Sequence, residues 1–334
     1  MLQQLFGAAT AIVLSVGVCV AFFYGANALL DYYATASGLD HRSRDRRERV
    51  RSIVQPLIFV GPALLLLSIF LIYPVIKTVQ YSFMDRGSFE WVGLANYVWA
   101  FHDQEFLQSI GNNILWLIIV PSMSTFLGLL IAYLTDRIWW GQIARTLIFL
   151  PMAISFLAAS VIWKFVYDYR GPDSEQIGLL NAFWVGLGGE PQAWITLPFW
   201  NNIFLMIILI WIQTGFAMVI LGAAMRGVPE ETLEAAHMEG ANEMQIFFKI
   251  IIPQVLGTIL VVWTTITITV LKVFDIVYAM TNGQWDTEVI ANMMFDTMFR
   301  AGDAGRGSAI AVVLMVAVLP IMWWNIRNVR KEEI

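Results

Sequence analysis

Seven stretches of about 20 residues, rich in Leu, Ile, Val, Phe and Trp and uncharged at their centres, recur along this chain: 5–30, 57–79, 114–134, 146–166, 203–224, 255–276 and 308–326. Each is long enough to cross a bilayer, and no soluble core absorbs seven of them. Of the 334 residues 58% are hydrophobic and 13% charged, where a soluble domain has about 45–50% and about 25%. A soluble enzyme is excluded. Unpaired peptide groups are expensive in hydrocarbon and the runs lack the alternation of barrel strands, so the spans are helices. The expected fold is an all-α polytopic membrane protein with about seven transmembrane helices.

Orientation follows from the basic residues. The segment after the first span, His41 to Arg51, carries six arginines, which places it in the cytoplasm. Alternation then puts Arg137, Arg145, Arg226, Lys249, Arg327, Arg330 and Lys331 inside as well, so 13 of the 20 basic residues are cytoplasmic. The amino terminus is expected outside and the carboxyl terminus inside. Ala34-Thr35-Ala36 has the small residues of a cleavage site, but the positive charge lies after the apolar run instead of before it. The first span therefore reads as a retained, accessory anchor. Two external stretches, 84–112 and 168–201, are acidic and aromatic; each is either a solvated loop with interfacial Trp and Tyr or a surface for an external partner.

The usual catalytic devices are missing. None of the five lysines follows a glycine, so no phosphate-binding loop of the Walker type exists. His41, His102 and His237 have neither metal-ligand nor triad spacing, and Cys19 is the single cysteine. The formal charge of −5 is too small and dispersed for nucleic acid. Active work by this chain would need energy from another chain.

The strongest local signal lies between spans five and six, in residues 226–253. Pro229 suits the first position of a helix, and Glu230 and Glu231 complement its positive end. Gly240 stops that helix. Asn242, with Gln245 three residues on, reads as a capping box for a second helix that runs to Pro253. Leu233, Ala236, Gly240, Met244, Phe247 and Ile251 fall at helical spacing and predict one apolar stripe. The polar side carries Glu230, Glu231, Glu234, Glu239 and Glu243, which anionic headgroups repel. A protein groove is the better partner.

Glu234-Ala235-Ala236 with Gly240 six residues after the glutamate, and Ile252-Pro253 beyond, resembles the EAA loop of binding-protein-dependent ABC importer permeases. Pro62-Ala-Leu-Leu-Leu-Leu, Tyr73-Pro74, Asn112-Asn113, Phe149-Leu-Pro151 and Ile162-Trp-Lys164 extend the resemblance over about residues 54–328. Within that superfamily the chain is similar to the MalF-type sugar permeases. The run from Lys272-Val-Phe-Asp275 through Met280-Thr-Asn-Gly-Gln-Trp285 most resembles the α-glucoside permeases of the AglF kind. The layout implied is an accessory helix over 1–35, a basic cytoplasmic linker over 36–53, a permease domain over 54–328 and a cytoplasmic tail over 329–334. The resemblance further implies a multi-pass subunit of a bacterial inner membrane that is not itself an enzyme and carries no cofactor. ATP and Mg would be held by a cytoplasmic ATPase dimer. A second permease and an external substrate-binding protein would complete an importer of α-glucosides or related oligosaccharides, with membrane lipid around it. By this analogy Glu234 pairs with a basic residue of the ATPase, Gly240 permits the turn, Ala235 and Ala236 keep the helix slim, and Pro253 ends the loop.

The same resemblance aligns sugar contacts with about 209–216 and 266–273. Polar residues at membrane depth are functional candidates, because hydrocarbon penalises them. Gln213 and Thr214 interrupt span five, between Trp211 and Phe216; Thr265, Thr269 and Lys272 share one face of span six, with Asp275 a turn further on. Alternatives stand beside these. The threonine hydroxyls can bond back to their own helix, Lys272 and Asp275 can pair with each other, Lys164 can snorkel, and Asn112 and Asn113 can cap span three. Positions aligned with polar sugar contacts of the family are apolar here: Ile266, Val270 and Val273. Other functions left open are a permease for another sugar or polyol, and a membrane-embedded enzyme acting on glycan or lipid.

Overall fold

The computed structural model describes residues 2–34 and 41–332. Thr35 and Ala36 of the candidate cleavage site, the linker up to Asp40 and the last two residues of the tail lie outside the described residues. The described residues are mostly helical: α1 (Leu2–Ala34), α2 (His41–Leu67), α3 (Tyr73–Tyr81), α4 (Ala95–Ala100), α5 (Gln104–Thr135), α6 (Gly141–Phe149), α7 (Phe156–Val166) and α8 (Leu179–Gly186) are followed by α9 (Trp200–Arg226), α10 (Glu230–Met238), α11 (Glu243–Ile246), α12 (Ile252–Gln254), α13 (Leu256–Leu271), α14 (Asp275–Met280), α15 (Ile290–Phe295) and α16 (Ala304–Glu332). The described residues contain no strand, only an isolated bridge between Met84 and Trp91. By contacts the chain divides into two compact units, Met1–Lys77 and Thr78–Ile334.

Within the first unit α1 packs against α2, with Phe23 stacked on Phe59 at 5.5 Å. Most described side chains of α1 lie exposed, as suits a helix whose surroundings are lipid. The larger unit is centred on α5, α9 and α13. Leu205, Ile208, Leu209 and Leu221 of α9, Trp116 and Val120 of α5, and Val262, Ile266 and Val270 of α13 are essentially inaccessible and join one core. The helices approach closely because a glycine stands at the crossing. A Cβ on Gly128 of α5 would lie 2.4 Å from the Cβ of Ala217 and 2.8 Å from the Met218 nitrogen of α9.

Four helical stretches among the described residues are long and apolar enough to cross a membrane singly, and two more are bent pairs; the seventh expected run falls within α16, whose apolar part is Ala304–Pro320. The second bend, of 72°, falls at Val255, where the 226–253 segment meets span six; the first bend and a separate break correct two of the expected straight spans. Span four is broken into α6 and α7 at 108°, through a 3₁₀ turn Leu150–Ala153 that holds Pro151, and Ser155 restarts the chain by accepting from Ala158 N at 3.2 Å. Span six stops at Leu271, with Lys272 as its cap, and resumes at Asp275. Just before Pro74 and Pro253 the helix widens to a π turn, in which Tyr73 N–H donates to Ser68 O and Ile252 N–H to Phe247 O. A proline has no N–H and its ring clashes with the carbonyl four residues back, so a wider turn relieves the misfit without ending the helix.

At the end of the bundle away from residues 226–253, a third correction concerns Asn112 and Asn113. They do not cap α5, since Asp103 does so by accepting from Phe106 N at 3.0 Å. Instead Asn112 donates to Asp286 O and Glu288 O, both at 2.8 Å, and Asn113 accepts from Ile290 N at 2.9 Å. Asn201 and Asn202 of α9 grip Trp285 O and Asp286 O. The loop so held has left-handed backbone at Asn282, Gly283, Trp285 and Asp286, a costly run that persists because both helices fix its carbonyls.

The crossing at Gly128 makes a direct prediction. Gly128→Val should cost about 1–3 kcal/mol through overpacking, read as a lower melting temperature of the purified chain in detergent, whereas Gly111→Ala, which meets nothing within 4 Å, should leave it near that of the wild type.

Candidate functional site

The 226–253 segment forms the helix, turn and helix that its punctuation implies. Pro229 stands one position earlier than expected, as the cap of α10. At the far end of α10, Gly240 adopts φ +80°. Its N–H donates to His237 O and that of Ala241 to Ala236 O, both at 3.0 Å, the pair of bonds that closes a helix through a left-handed residue. Asn242 and Gln245 then cap each other reciprocally at 2.9 Å.

The predicted single stripe does not form. Ala236, Phe247 and Ile251 turn inward with half-buried Leu233, but Met244 is 67% exposed. The Gly240 turn reorients the second helix, so helical spacing counted across it loses its meaning. Glu234 and Ala235 are exposed and Ala236 packs into the core. The small size of Ala236 therefore serves packing within this chain, and only Ala235 lies on the outer face. Pro253 is also exposed.

Glu243 ties this segment to the bundle, a role its sequence position does not betray. It forms an ion pair with Arg137, accepts from Tyr133 Oη at 3.0 Å and from His237 Nε2 at 3.2 Å. The Arg137 guanidinium lies 4.1 Å over the Tyr133 ring, which also packs on Phe247 at 4.5 Å. Next to this cluster, Asp136 pairs with Arg145 and, at 3.4 Å, with Arg226. The ends of α5, α6 and α9 and both halves of the 226–253 segment thus share one charged cluster.

A second site lies where both bent spans break. Met152, Ser155, Phe156 and Leu157, together with Gln213 of α9 and Asp275 of α14, line a cavity of about 400 Å³. Phe156 and Asp275 also border a smaller cleft of about 120 Å³ with Thr269 and Lys272. The close passage of α6 beside α9 depends on Gly215, where a Cβ would lie 2.6 Å from Ile148 O. Asp275 therefore joins Gln213 in the larger space and Thr269 and Lys272 in the smaller one. The expected candidates Trp211, Thr214, Phe216 and Thr265 line neither space. Trp211 packs edge-on against Trp163 at 5.7 Å, and half-buried Phe216 joins the core.

Hydroxyl groups take the local option. Thr214 donates to Ile210 O, Thr265 to Val261 O and Thr269 to Thr265 O, at 2.7, 2.8 and 3.2 Å. The alternative of a Lys272–Asp275 ion pair is not realised, although both residues border the smaller cleft. Among the described residues, the side chains of Gln213, Lys272 and Asp275 have no hydrogen-bonding or ionic partner. Ile266, Val270 and Val273 are buried in the core while Thr265, Lys272 and Asp275 are exposed. The polar face of span six is thus turned out of this chain's core.

Residues 124–325 match the family of binding-protein-dependent transport system inner membrane components. The chain belongs to this family. It is a multi-pass component of an inner membrane, and the match takes in the whole 226–253 segment and every residue around the cavity. The chain is 62% identical over 333 residues to the alpha-glucoside transport system permease protein AglF of Rhizobium meliloti, covering 99% of each. It is 52% identical to the osmoprotective compounds uptake permease protein GgtC of Synechocystis sp., over 82% of this chain and 99% of that one. In fold it resembles a bacterial ABC transporter involved in the import of the acidic polysaccharide alginate, with a TM-score of 0.73 at 19% identity over 85% of this chain and 99% of that one.

In this member of the family the Glu243 cluster sets a pH window for the loop. Bonds from His237, Arg137 and Tyr133 hold the Glu243 carboxyl below its ordinary range. The bond to Glu243, and that to Leu233 O at 2.7 Å, hold the His237 imidazole above its own. Both ring nitrogens of His237 face acceptors, which only the imidazolium satisfies. The carboxylate contribution is present above the usual carboxyl pKa and fades as pH falls through the depressed value. The imidazolium contribution is present below the usual imidazole pKa and fades as pH rises through the raised one. Amide exchange over 230–250, corrected for intrinsic rates, should be slowest between these limits, and Glu243→Gln should flatten the profile on both sides. A profile unchanged by Glu243→Gln would remove the tether.

Proposed function

We propose that this chain is a membrane subunit of an ATP-driven, binding-protein-dependent importer of α-glucosides or related oligosaccharides. The observation that carries the reading is that Gln213, Lys272 and Asp275, without partners among the described residues, line two adjoining spaces that share Phe156 and Asp275 at the breaks of two spans, in a protein 62% identical to an alpha-glucoside permease. A neutral sugar suits that chemistry. Its hydroxyls need hydrogen bonds, which an amide and a carboxylate supply, and its C–H faces need apolar cover, which Phe156 supplies. Import of another polyol or small solute is the second reading, supported by the 52% identity to a permease for osmoprotective compounds.

In this proposal ATP and Mg are held by a separate cytoplasmic ATPase dimer that receives α10, with exposed Glu234 against a basic residue of its cleft, Ala235 at the contact and Gly240 setting the turn. A second permease closes the pathway on the side where Thr265, Lys272 and Asp275 are open, and an external binding protein delivers the sugar. The amino terminus faces outside and the tail is cytoplasmic, as the arginines of 42–51 favour.

Two substitutions test this. Glu234→Ala should leave the chain inserted but loosen the ATPase and abolish uptake, while Glu231→Ala, on the same acidic helix, should do much less; equal effects would reduce the contact to general acidity. Gln213→Leu should forfeit about 1–3 kcal/mol of interaction with the passing sugar, the cost of a buried hydrogen bond left unmade, lowering uptake of labelled α-glucoside while the complex assembles and keeps its basal ATP hydrolysis. Normal transport by Gln213→Leu would exclude it as a ligand, and failure to assemble would make it interhelical glue.

A further inference from the structure

Between α8 and the adjoining ends of α7 and α9 lies a cavity of about 510 Å³, with Trp163 and Val166, Leu180 and Phe183, and Phe204 and Ile207 in its three walls. Its lining is apolar. The one nearby hydroxyl, that of Tyr167, is engaged elsewhere, donating to Phe204 O at 3.0 Å.

The helix that roofs the cavity faces outward with its apolar side. Leu179, Phe183 and Leu187 recur every four residues and are 69%, 65% and 68% exposed. This is a built orientation, since the opposite face is welded down. Fully buried Asn181 donates to Asp168 O and Gln192 O, both at 2.9 Å, and accepts from Gln192 N at 3.0 Å. An exposed apolar patch so firmly presented has an apolar occupant.

Two features identify that occupant. The other two walls belong to α7 and α9, parts of stretches long and apolar enough to cross a membrane, and Phe165 of α7 is exposed, so the open side of the groove continues an apolar surface suited to hydrocarbon. Lys164, next to the lining Trp163, is exposed and has no acidic partner among the described residues. A long cationic side chain one residue along α7 from that wall complements a phosphate above an acyl chain. We propose that this groove takes one acyl chain of a phospholipid from the leaflet at that end of the bundle, with Lys164 near its phosphate. Within the 168–201 stretch, α8 is then a lipid-seated brace for α7 and α9.

The test uses the full chain with Cys19→Ser, in nanodiscs of phosphatidylethanolamine and phosphatidylglycerol containing a phosphatidylcholine with a diazirine midway along one chain. Irradiation should place adducts on Leu180, Phe183 and Phe204. Phe183→Asp, at an exposed position, should cut adducts at the other groove residues about fivefold, the factor that ~1 kcal/mol corresponds to, and leave those on Phe165 unchanged. A second measurement does not depend on that variant: Leu179→Cys should be protected from an impermeant maleimide while Ser174→Cys reacts. Equal reaction of the two cysteines would overturn the proposal. So would loss of groove adducts, with cross-linking of Leu179→Cys to a second membrane subunit, when the two are reconstituted together, because the groove would then be a subunit interface.

Discussion

Hydrocarbon has nothing to offer a free peptide N–H or C=O, and the rest of this structure depends on how the chain meets that demand. Where it faces lipid it stays helical, and even Pro74 and Pro253 are absorbed by widened turns. Where it must break, the break is set against protein. Leu150–Ser155 lies beside α9, approached through Gly215, and Lys272–Phe274 lies beside α7. These protected interruptions are also where side chains without partners gather. The unsatisfied Gln213, Lys272 and Asp275 and the irregular backbone around them arise from one arrangement, in which a space at membrane depth is bounded by groups that can bond a polar guest.

Long helices also let distant ends share one body. α5, at 32 residues, runs about 48 Å at 1.5 Å per residue. At one end Asn112 and Asn113 hold the strained 281–289 loop, and at the other Tyr133 and, just beyond, Arg137 hold Glu243. α9 repeats the pattern, with Asn201 and Asn202 at its start and Arg226 bound to Asp136 at its finish. A force applied at the 226–253 segment therefore meets a clamped cluster instead of a loose tether, which suits a surface through which another chain does work.

Much of this was legible before any coordinates. Spans show as uncharged apolar runs because lipid solvation is a property of each segment by itself. The turn at Gly240 and the capping box of Asn242 and Gln245 show because capping involves residues three or four apart. The errors share a cause. The Asn112-Asn113 pair reads as a cap only while its partners, more than 170 residues away, are out of view. Met244 reads as part of a stripe only if the helix is imagined to continue through Gly240. Straight spans are expected at 146–166 and 255–276 because composition measures apolarity and is blind to direction.

The sequence by itself determined that the chain crosses a membrane as helices, which loop is cut and capped to form a helical pair, and which polar residues lie at membrane depth. Tertiary structure decided which of those polar residues meet. Gln213 and Asp275 come to one cavity while Thr214 and Thr265 bond to their own helices, and Glu243 finds Tyr133 across 110 residues. The reason is range. Periodicity, capping and hydropathy are settled within a turn or a span, whereas the partner of a side chain depends on how whole helices cross, and that is set by the summed packing of α5, α9 and α13 at contacts such as Gly128 on Ala217.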